Sequence, residues 1–533
     1  MMETQHKSSD RLPDKPAPAA GSSRLIKSGA TVAAMTMLSR VFGLIRDVVI
    51  ARVFGAGAAT DAFFVAFKIP NFLRRLFAEG AFAQAFVPVL SEYKVKHGYQ
   101  EVKSLVDTVA GSLGLVLLVV TVLACAGAPY VTWLFAPGFA DQPEKFALAA
   151  DILRITFPYL LMISLTAFAG SVLNSYGRFA AAAFTPVLLN LSLISCAIWV
   201  APLFEQGVMA LAWGVFIAGA LQLFFQFPFL LRLHLLPRPR VDYGHEGVKR
   251  ILALMLPALI GVSVSQINLL LDTILASFLE SGSVSWLYYS DRLTELPLGV
   301  IGIAIGTVIL PSLSRSHASE SPDAFSGTVD WALRCVLLIG LPASLALVVL
   351  AEPLIATLFY YGEMQARDVT MSSHSLAAYA LGLQAFMLIK VLAPGYFSRQ
   401  DTKTPVKIGI IAMVANMVLN LCLIWNLAHV GLALATSLSA WLNMALLLRG
   451  LWREKVYIPR PGWRRFLIRL VIANGVMVAI LLVASPATPE WMSHGAGFRA
   501  GTLAWLVPLG MVSYFGLLLL MGVNLKSLYR ERG

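Results

Sequence analysis

Apolar residues in this chain come in long runs separated by short polar stretches. Runs at 111–128, 155–174, 207–231, 335–350, 405–425, 430–448 and 466–484 are about 20 residues long, the length of helix that spans a hydrocarbon core about 30 Å thick. Following that pattern along the chain predicts 14 helices: 28–54, 60–91, 104–126, 147–174, 180–202, 207–232, 248–278, 283–312, 329–355, 368–395, 404–425, 430–449, 464–485 and 500–523. The fold class is therefore all-α, a polytopic membrane protein. The first 23 residues break the pattern. They are polar and rich in Pro, Ala and Ser, without the apolar core of a secretory signal, so 1–23 is expected to be a disordered tail.

Composition strengthens this reading. Of 533 residues 58% are hydrophobic and 13% charged, against about 45–50% and about 25% in soluble domains. A soluble chain of this length would divide into several domains with polar surfaces. Cys125, Cys196, Cys335 and Cys422 lie far apart inside apolar runs and read as small buried hydrophobes, not as a disulfide or metal set.

Charge adds the orientation. Most of the 41 Lys and Arg lie in the two tails and in alternate loops, among them Lys94, Lys96, Lys103 and the stretches 232–250, 399–407 and 449–465. The opposite loops hold Arg52, Lys145, Arg367 and Arg499. Loops rich in Lys and Arg face the cytoplasm, so both termini are expected there. The formal charge of +12 is mostly this topology signal. A nucleic-acid surface would gather its basic residues on one soluble face, and no nucleic-acid partner is expected.

The sequence also echoes itself at a period of about 223 residues: Phe86-Val87-Pro88-Val89-Leu90-Ser91 against Ile309-Leu310-Pro311-Ser312-Leu313-Ser314, and Met209-Ala210-Leu211-Ala212 against Leu432-Ala433-Leu434-Ala435. Thr185-Pro186-Val187 returns slightly out of step as Thr404-Pro405-Val406. Such a period holds six helices, an even number of crossings, so the copies should be parallel repeats related by an axis along the membrane normal. The expected domains are a first lobe of six helices (24–235), a second of six (236–450) and an appended pair (451–533). Two lobes around a central path is a transporter's design.

Ionisable residues inside spans carry the chemistry, because an Arg at mid-bilayer costs about 2.5–3.5 kcal/mol and so faces a bundle interior or a wet cavity. The first helix reads Ser39-Arg40-Val41-Phe42-Gly43-Leu44-Ile45-Arg46-Asp47. Arg40 and Asp47 share a face, Arg46 points about a third of a turn away, and Gly43 removes bulk between them. The second helix carries Asp61, Lys68, Arg74, Arg75 and Glu79, the eighth Asp291, Arg292 and Glu295. Arg292 and Glu295, at i,i+3, read equally well as an internal ion pair. In the first two helices basic residues outnumber acidic ones even with Lys68 and Arg75 free to snorkel. That excess asks for an anionic ligand, and Arg grips phosphate bidentately while staying charged. Gly299, Gly302 and Gly306 lie within a span and read as close helix packing. Pro70, Pro158, Pro257, Pro297 and Pro311 mark kinks. No phosphate-binding loop, nucleophile–base pair or metal-ligand spacing at His374 or His429 appears, so an enzyme is not expected.

Several stretches resemble the MurJ (MviN-type) lipid II flippases. They are Met35-Thr36-Met37-Leu38-Ser39-Arg40-Val41-Phe42-Gly43-Leu44-Ile45-Arg46-Asp47, the run 55–64 beginning Gly55-Ala56-Gly57, Asn71-Phe72-Leu73-Arg74-Arg75-Leu76-Phe77-Ala78-Glu79-Gly80, the run 282–292 through Tyr288-Tyr289-Ser290-Asp291-Arg292, and 393–401. The resemblance covers the chain from about Arg24 to its end. It implies the multidrug/oligosaccharidyl-lipid/polysaccharide exporter fold in a bacterial inner membrane. It also implies movement of lipid II, the undecaprenyl-pyrophosphate disaccharide-pentapeptide, from the cytoplasmic to the periplasmic leaflet by alternating access. By the same resemblance Arg40, Arg46, Arg74 and Arg292 are substrate-binding arginines, with Ser39, Asp61 and Glu295 at polar cavity positions. Helices 13 and 14 would border a groove for the lipid tail.

Some members of that family hold sodium between helices 7, 11 and 12. Those positions fall on Asp272, Asn416, Asn420 and Thr436, and Asn420 stands where those members have a second carboxylate, which weakens the case for Na⁺. No other cofactor is implied. The expected partners are lipid II and membrane lipids, with the chain acting as a monomer. The rival readings are a flippase for another undecaprenyl-linked glycan, a cation-coupled multidrug antiporter of the same fold, and a membrane-embedded transferase.

Overall fold

The computed structural model describes residues 22–304, 309, 312, 313 and 321–523. Every regular element among them is helical, as lipid requires of a chain that must satisfy its own backbone hydrogen bonds. The first half runs α1 (Ser22–Phe54), α2 (Ala58–Leu73), a π-helical segment (Arg74–Phe82), α3 (Ala83–Lys96), α4 (Tyr99–Ala126), the short α5 (Ala128–Phe135), α6 (Pro143–Thr156), α7 (Tyr159–Ser175), α8 (Phe179–Ser195) and α9 (Met209–Arg232). The second half runs α10 (Glu246–Ser277), α11 (Ser283–Ala304), α12 (Pro322–Val349), the short α13 (Ala351–Phe359), α14 (Ala366–Phe397) and α15 (Lys403–Arg453). The chain closes with α16 (Trp463–Ala484), α17 (Thr488–Ser493) and α18 (Ala496–Leu520).

Among the described residues nine helical stretches are long and apolar enough to cross a membrane. The expected crossing at 147–174 is one helical stretch, Pro143–Ser175, interrupted between α6 and α7 at Pro158, whose ring removes a backbone donor. The expected helices 404–425 and 430–449 run on as α15, and the reversal between them falls on Ala428 at φ 47. The short α5, α13 and α17 escaped the hydropathy reading because each is too brief to show a period. Most of the tail 1–23, half of the second repeat copy at 309–314 (310, 311 and 314) and most of the end of the span 283–312 lie outside the described residues.

Element boundaries carry the repeat more plainly than the sequence does. The helices α4 and α12 start 223 residues apart (99 and 322) and end 223 apart (126 and 349). The starts of α5 and α13, and those of α6 and α14, keep the same offset.

A polar latch repeats with them. The segment leaving each half reads Pro-Arg-Pro: Pro237-Arg238-Pro239 after α9 and Pro459-Arg460-Pro461 after α15. Between two prolines the arginine supplies the only backbone donor. Asp107 on α4 accepts the Arg238 amide at 2.7 Å and pairs with Lys103. Asp330 on α12 accepts the Arg460 amide at 3.2 Å, the Tyr457 hydroxyl at 2.9 Å and the Trp463 indole N–H at 2.6 Å. Each outgoing segment is thus pinned to its own half, and α16 and α18 are carried by the second half. The Tyr514 hydroxyl reinforces this by donating to the Leu338 carbonyl at 2.8 Å.

At the end away from these latches the halves are clasped. The Glu363 amide donates to the Arg52 carbonyl at 3.0 Å, and the Tyr289 hydroxyl donates to the Gly55 carbonyl at 3.1 Å. Gly362, at φ +58, lies so close that a Cβ there would stand 2.1 Å from the Arg52 oxygen. One apolar core joins both halves at this end, with Phe63, Phe64, Tyr289 and Phe359 among its members. At the latch end the core separates into a cluster around Phe86 and Leu105 and another around Val329 and Leu447. Space between the halves therefore lies toward the latch end.

Asp330→Ala should leave three donors without their acceptor, a loss of about 3 kcal/mol or more. Trypsin should then cut at Lys455, in the same outgoing segment, faster than in the parent protein, with a lower melting temperature. Unchanged cleavage would show that the segment is held by other contacts.

Candidate substrate cavity

Two adjoining cavities of about 300 and 500 Å³ lie between the halves, and Arg46, Arg75, Leu189, Arg292 and Glu295 line both. The charged helices build them: α1 supplies Ser39, Arg40, Arg46 and Asp47, the second crossing supplies Lys68, Arg74 and Arg75, and α11 supplies Asp291, Arg292 and Glu295. Taken together the walls carry the basic side chains Arg40, Arg46, Lys68, Arg74, Arg75, Arg292 and Lys390 against the carboxylates Asp47, Asp272, Asp291 and Glu295. Positive charge is in excess.

At the centre Asp47, 1% exposed, serves arginines from both halves. Arg46 donates to its Oδ1 through Nε and Nη2 at 2.9 and 2.7 Å, and Arg292 Nε stands 3.4 Å from Oδ2. The Tyr288 hydroxyl donates to Asp47 at 2.9 Å and accepts from Arg46 at 2.8 Å and from Arg292 at 3.3 Å. Its ring stacks on Phe64 with centroids 3.8 Å apart. Arg46 Nη1 reaches Asn190 Oδ1 at 3.0 Å, and Asn190 in turn donates to the Ser39 carbonyl at 3.0 Å. Arg292 also pairs with Glu295 at 2.7 Å, so the ion-pair reading of those two holds while both still face the cavities.

Arg40 reaches across to the Glu295 carbonyl at 3.2 Å, with its Nε buried and unpartnered. Its guanidinium lies over Gly299, where a Cβ would come within 2.2 Å of Nη1. Gly299 therefore makes room for a guanidinium and not, as its spacing suggested, for a neighbouring helix. Gly306, the surroundings of Gly302 and the side chain of Glu79 lie outside the described part of the structure. Arg74 and Arg75 are adjacent yet both line the first cavity, at the point where the helix widens into its π-helical segment. Such segments concentrate at functional sites. Arg74 Nε bonds Asn71 at 3.3 Å. Lys68 and Arg75 line cavity wall and do not snorkel away from it.

Asp61 belongs elsewhere. It lines neither cavity and is fully buried in the clasp. It accepts the Lys145 ammonium at 3.0 Å, the Gly282 amide at 2.7 Å, and the Ser285 amide and hydroxyl at 2.9 and 2.7 Å. Those four donors satisfy a buried carboxylate, and three of the bonds join the halves.

Asp272, Asn416, Asn420 and Thr436 do come together. Asn420 Nδ2 donates to Asp272 Oδ1 at 2.7 Å and to Asn416 Oδ1 at 2.6 Å, while Thr436 stands 3.5 Å from Asp272 Oδ2. A sodium ion needs oxygens converging on one point. Here an amide nitrogen fills that point, and the Asn420 Oδ1 is turned away, buried and unpartnered. With one carboxylate and three neutral side chains, this set offers a cation less charge than a site with two carboxylates.

Sequence reasoning missed Lys390, Asn190 and Tyr288. Lys390 was within reach, being a lone cation in a span, and the cost argument applied to Arg40 applies to it. Asn190 and Tyr288 carry no charge, and nothing in the spacing marks them.

The architecture is that of a membrane transporter, with an excess of basic side chains in the walls of its cavities. The model of the MurJ family, described as lipid II flippase MurJ, matches residues 50–498, and the chain belongs to that family. A probable lipid II flippase MurJ of Vibrio cholerae is 52% identical over 514 residues, covering 95% of this chain and 98% of the relative. The lipid II flippase MurJ of Burkholderia cenocepacia is 44% identical over 504 residues, covering 93% and 98%. Among solved structures, a lipid II flippase MurJ in an inward closed conformation superposes with a TM-score of 0.78 at 26% identity, covering 91% of this chain and 97% of that one. An inward-facing multidrug resistance MATE transporter of the MOP superfamily superposes with a TM-score of 0.64 at 16% identity, covering 80% and 98%, which shows the shared fold.

Two outcomes follow from this geometry. Gly299→Leu should push the Arg40 guanidinium aside and weaken binding of a prenyl pyrophosphate about tenfold, the worth of one charge-assisted hydrogen bond, with helix content by circular dichroism unchanged. Equal affinity would remove Arg40 from the anion site. Asn420→Asp, which supplies the second carboxylate, should make thermal stability rise with added NaCl over the same concentration of KCl. A parent protein stabilised by sodium to the same degree would contradict the donor-set argument.

Proposed function

We propose that this chain carries lipid II from the cytoplasmic to the periplasmic leaflet of the bacterial inner membrane, by alternating access and as a monomer. The observation that carries the proposal is the excess of basic over acidic side chains in the cavity walls, in a member of a family described as lipid II flippases. A pyrophosphate brings the charge those walls lack. Arg40, Arg46, Arg74 and Arg292 are the residues to grip it, because guanidinium forks match phosphate oxygens and cannot lose their proton. Ser39 and Glu295 supply polar groups beside them.

In this reading the latched face is cytoplasmic, with both termini there, and the clasped face is periplasmic. The headgroup enters from the latched side while the prenyl tail stays in lipid beside α16 and α18. Release requires the Asp61 clasp to open and the latched ends to close. A membrane potential negative inside favours outward movement of a negative headgroup by about 2.3 kcal/mol per charge per 100 mV, so the drive is the potential and not a sodium gradient. A drug antiporter of the same fold, whose substrates are cations, would be poorly served by this excess of guanidinium.

Cells depleted of the protein and complemented with the parent chain should expose lipid II to a periplasmic probe. Cells complemented with Arg40→Ala, expressed to the same level, should fall at least tenfold short. Full exposure with Arg40→Ala would remove the phosphate clamp, and exposure unaffected by depletion would remove lipid II as the substrate.

A further inference from the structure

The two cavities differ in how their polar groups are engaged. Around Asp47 nearly every donor has an acceptor. At the other end of the first cavity several polar groups are unspent. The Lys68 ammonium and the Asp291 carboxylate line it, and neither makes a hydrogen bond or an ion pair within 4 Å among the described residues. Lys68 lies within electrostatic reach of Asp291 and Asp272. The Tyr379 hydroxyl faces the same space without a partner, and Gln266 Oε1 is buried with none. Lys68 lies ten residues into α2 and Asp291 eight into α11. At 1.5 Å per residue both sit about 12–15 Å from the clasped face, at one depth. Lys68 and Asp291 are exposed to the space between the halves and Gln266 Oε1 beside them is buried without a partner, so a cation and an anion left to water on one wall are free to take a ligand that carries the opposite charges and an amide.

That ligand carries both charges close together, with amide groups beside them. Resting on the flippase reading, we propose that the Lys68–Asp291 end of the first cavity seats the peptide part of the headgroup, Asp291 taking an ammonium and Lys68 a carboxylate. Of the headgroup's parts, the pyrophosphate has only negative charge and the disaccharide is largely neutral hydroxyls and acetamides. The stem peptide alone offers a free amine on its diamino acid together with free carboxylates and a run of amides. The shared residues Arg46, Arg75 and Arg292 join this end to the arginine cluster, so one headgroup can span both. Recognition through the amine would let the carrier prefer completed precursors over lipid-linked disaccharides without a peptide.

The test uses the purified full chain in detergent and three probes: lipid II with its diamino-acid amine free, the same lipid with that amine N-acetylated, and the peptide-free undecaprenyl-pyrophosphate disaccharide. The parent protein should bind the free-amine lipid about tenfold to a hundredfold more tightly than the acetylated one, the span of one charge-assisted hydrogen bond. Asp291→Asn should bind the free-amine and acetylated lipids alike and still bind the peptide-free lipid as well as the parent does. Equal binding of all three probes by the parent would overturn the peptide seat while leaving the flippase reading intact. Discrimination that survives in Asp291→Asn would overturn the assignment to Asp291. No binding of any probe would overturn both.

Discussion

Asp47 is the residue on which the interior turns. Its single carboxylate neutralises Arg46 from the first half and meets Arg292 from the second, with the Tyr288 hydroxyl bonded to all three. A guanidinium keeps its charge at any pH a cell reaches, so arginines held within a membrane protein must be answered by an anion. Asp47 and Glu295 between them answer these two arginines, and the other basic side chains of the cavity walls outnumber the carboxylates that are left. The remainder is available to a ligand, and it is placed where the two halves meet.

The rest of the architecture serves that arrangement. One apolar core binds the halves at the clasped end, and separate cores at the latched end let them part there. The repeated Asp–Pro-Arg-Pro latches make each half, and the α16–α18 pair with the second, a body that can move as one. Asp61 closes the far side through donors from both halves. Opening it must therefore be compensated by contacts formed elsewhere, which in the proposed function a pyrophosphate drawing Arg40, Arg46 and Arg292 together would supply.

Much of this was legible in the sequence, for a physical reason. Lipid leaves one secondary structure, so hydropathy alone locates most crossings, and the cost of burying arginine singles out Arg40, Arg46, Arg74 and Arg292, all of which line the cavities. The 223-residue period was visible in a few matched residues and is plain in the helix boundaries. What sequence could not give depends on where side chains turn. Asp61 and Asp47 are both acids in spans, yet one fastens the clasp and the other the cavity. Gly299 reads as packing until the guanidinium above it is seen. That Asn420 joins Asp272 to Asn416 is seen only once the three are brought together.

Transport by the purified chain in sealed vesicles is the most direct measurement. Fluorescent lipid II placed in one leaflet should reach the other many times faster with the protein than without it, faster again when a potential favours movement of negative charge, and no faster with sodium than with potassium. Lipid II crossing at the protein-free rate under every gradient would contradict the account at its centre.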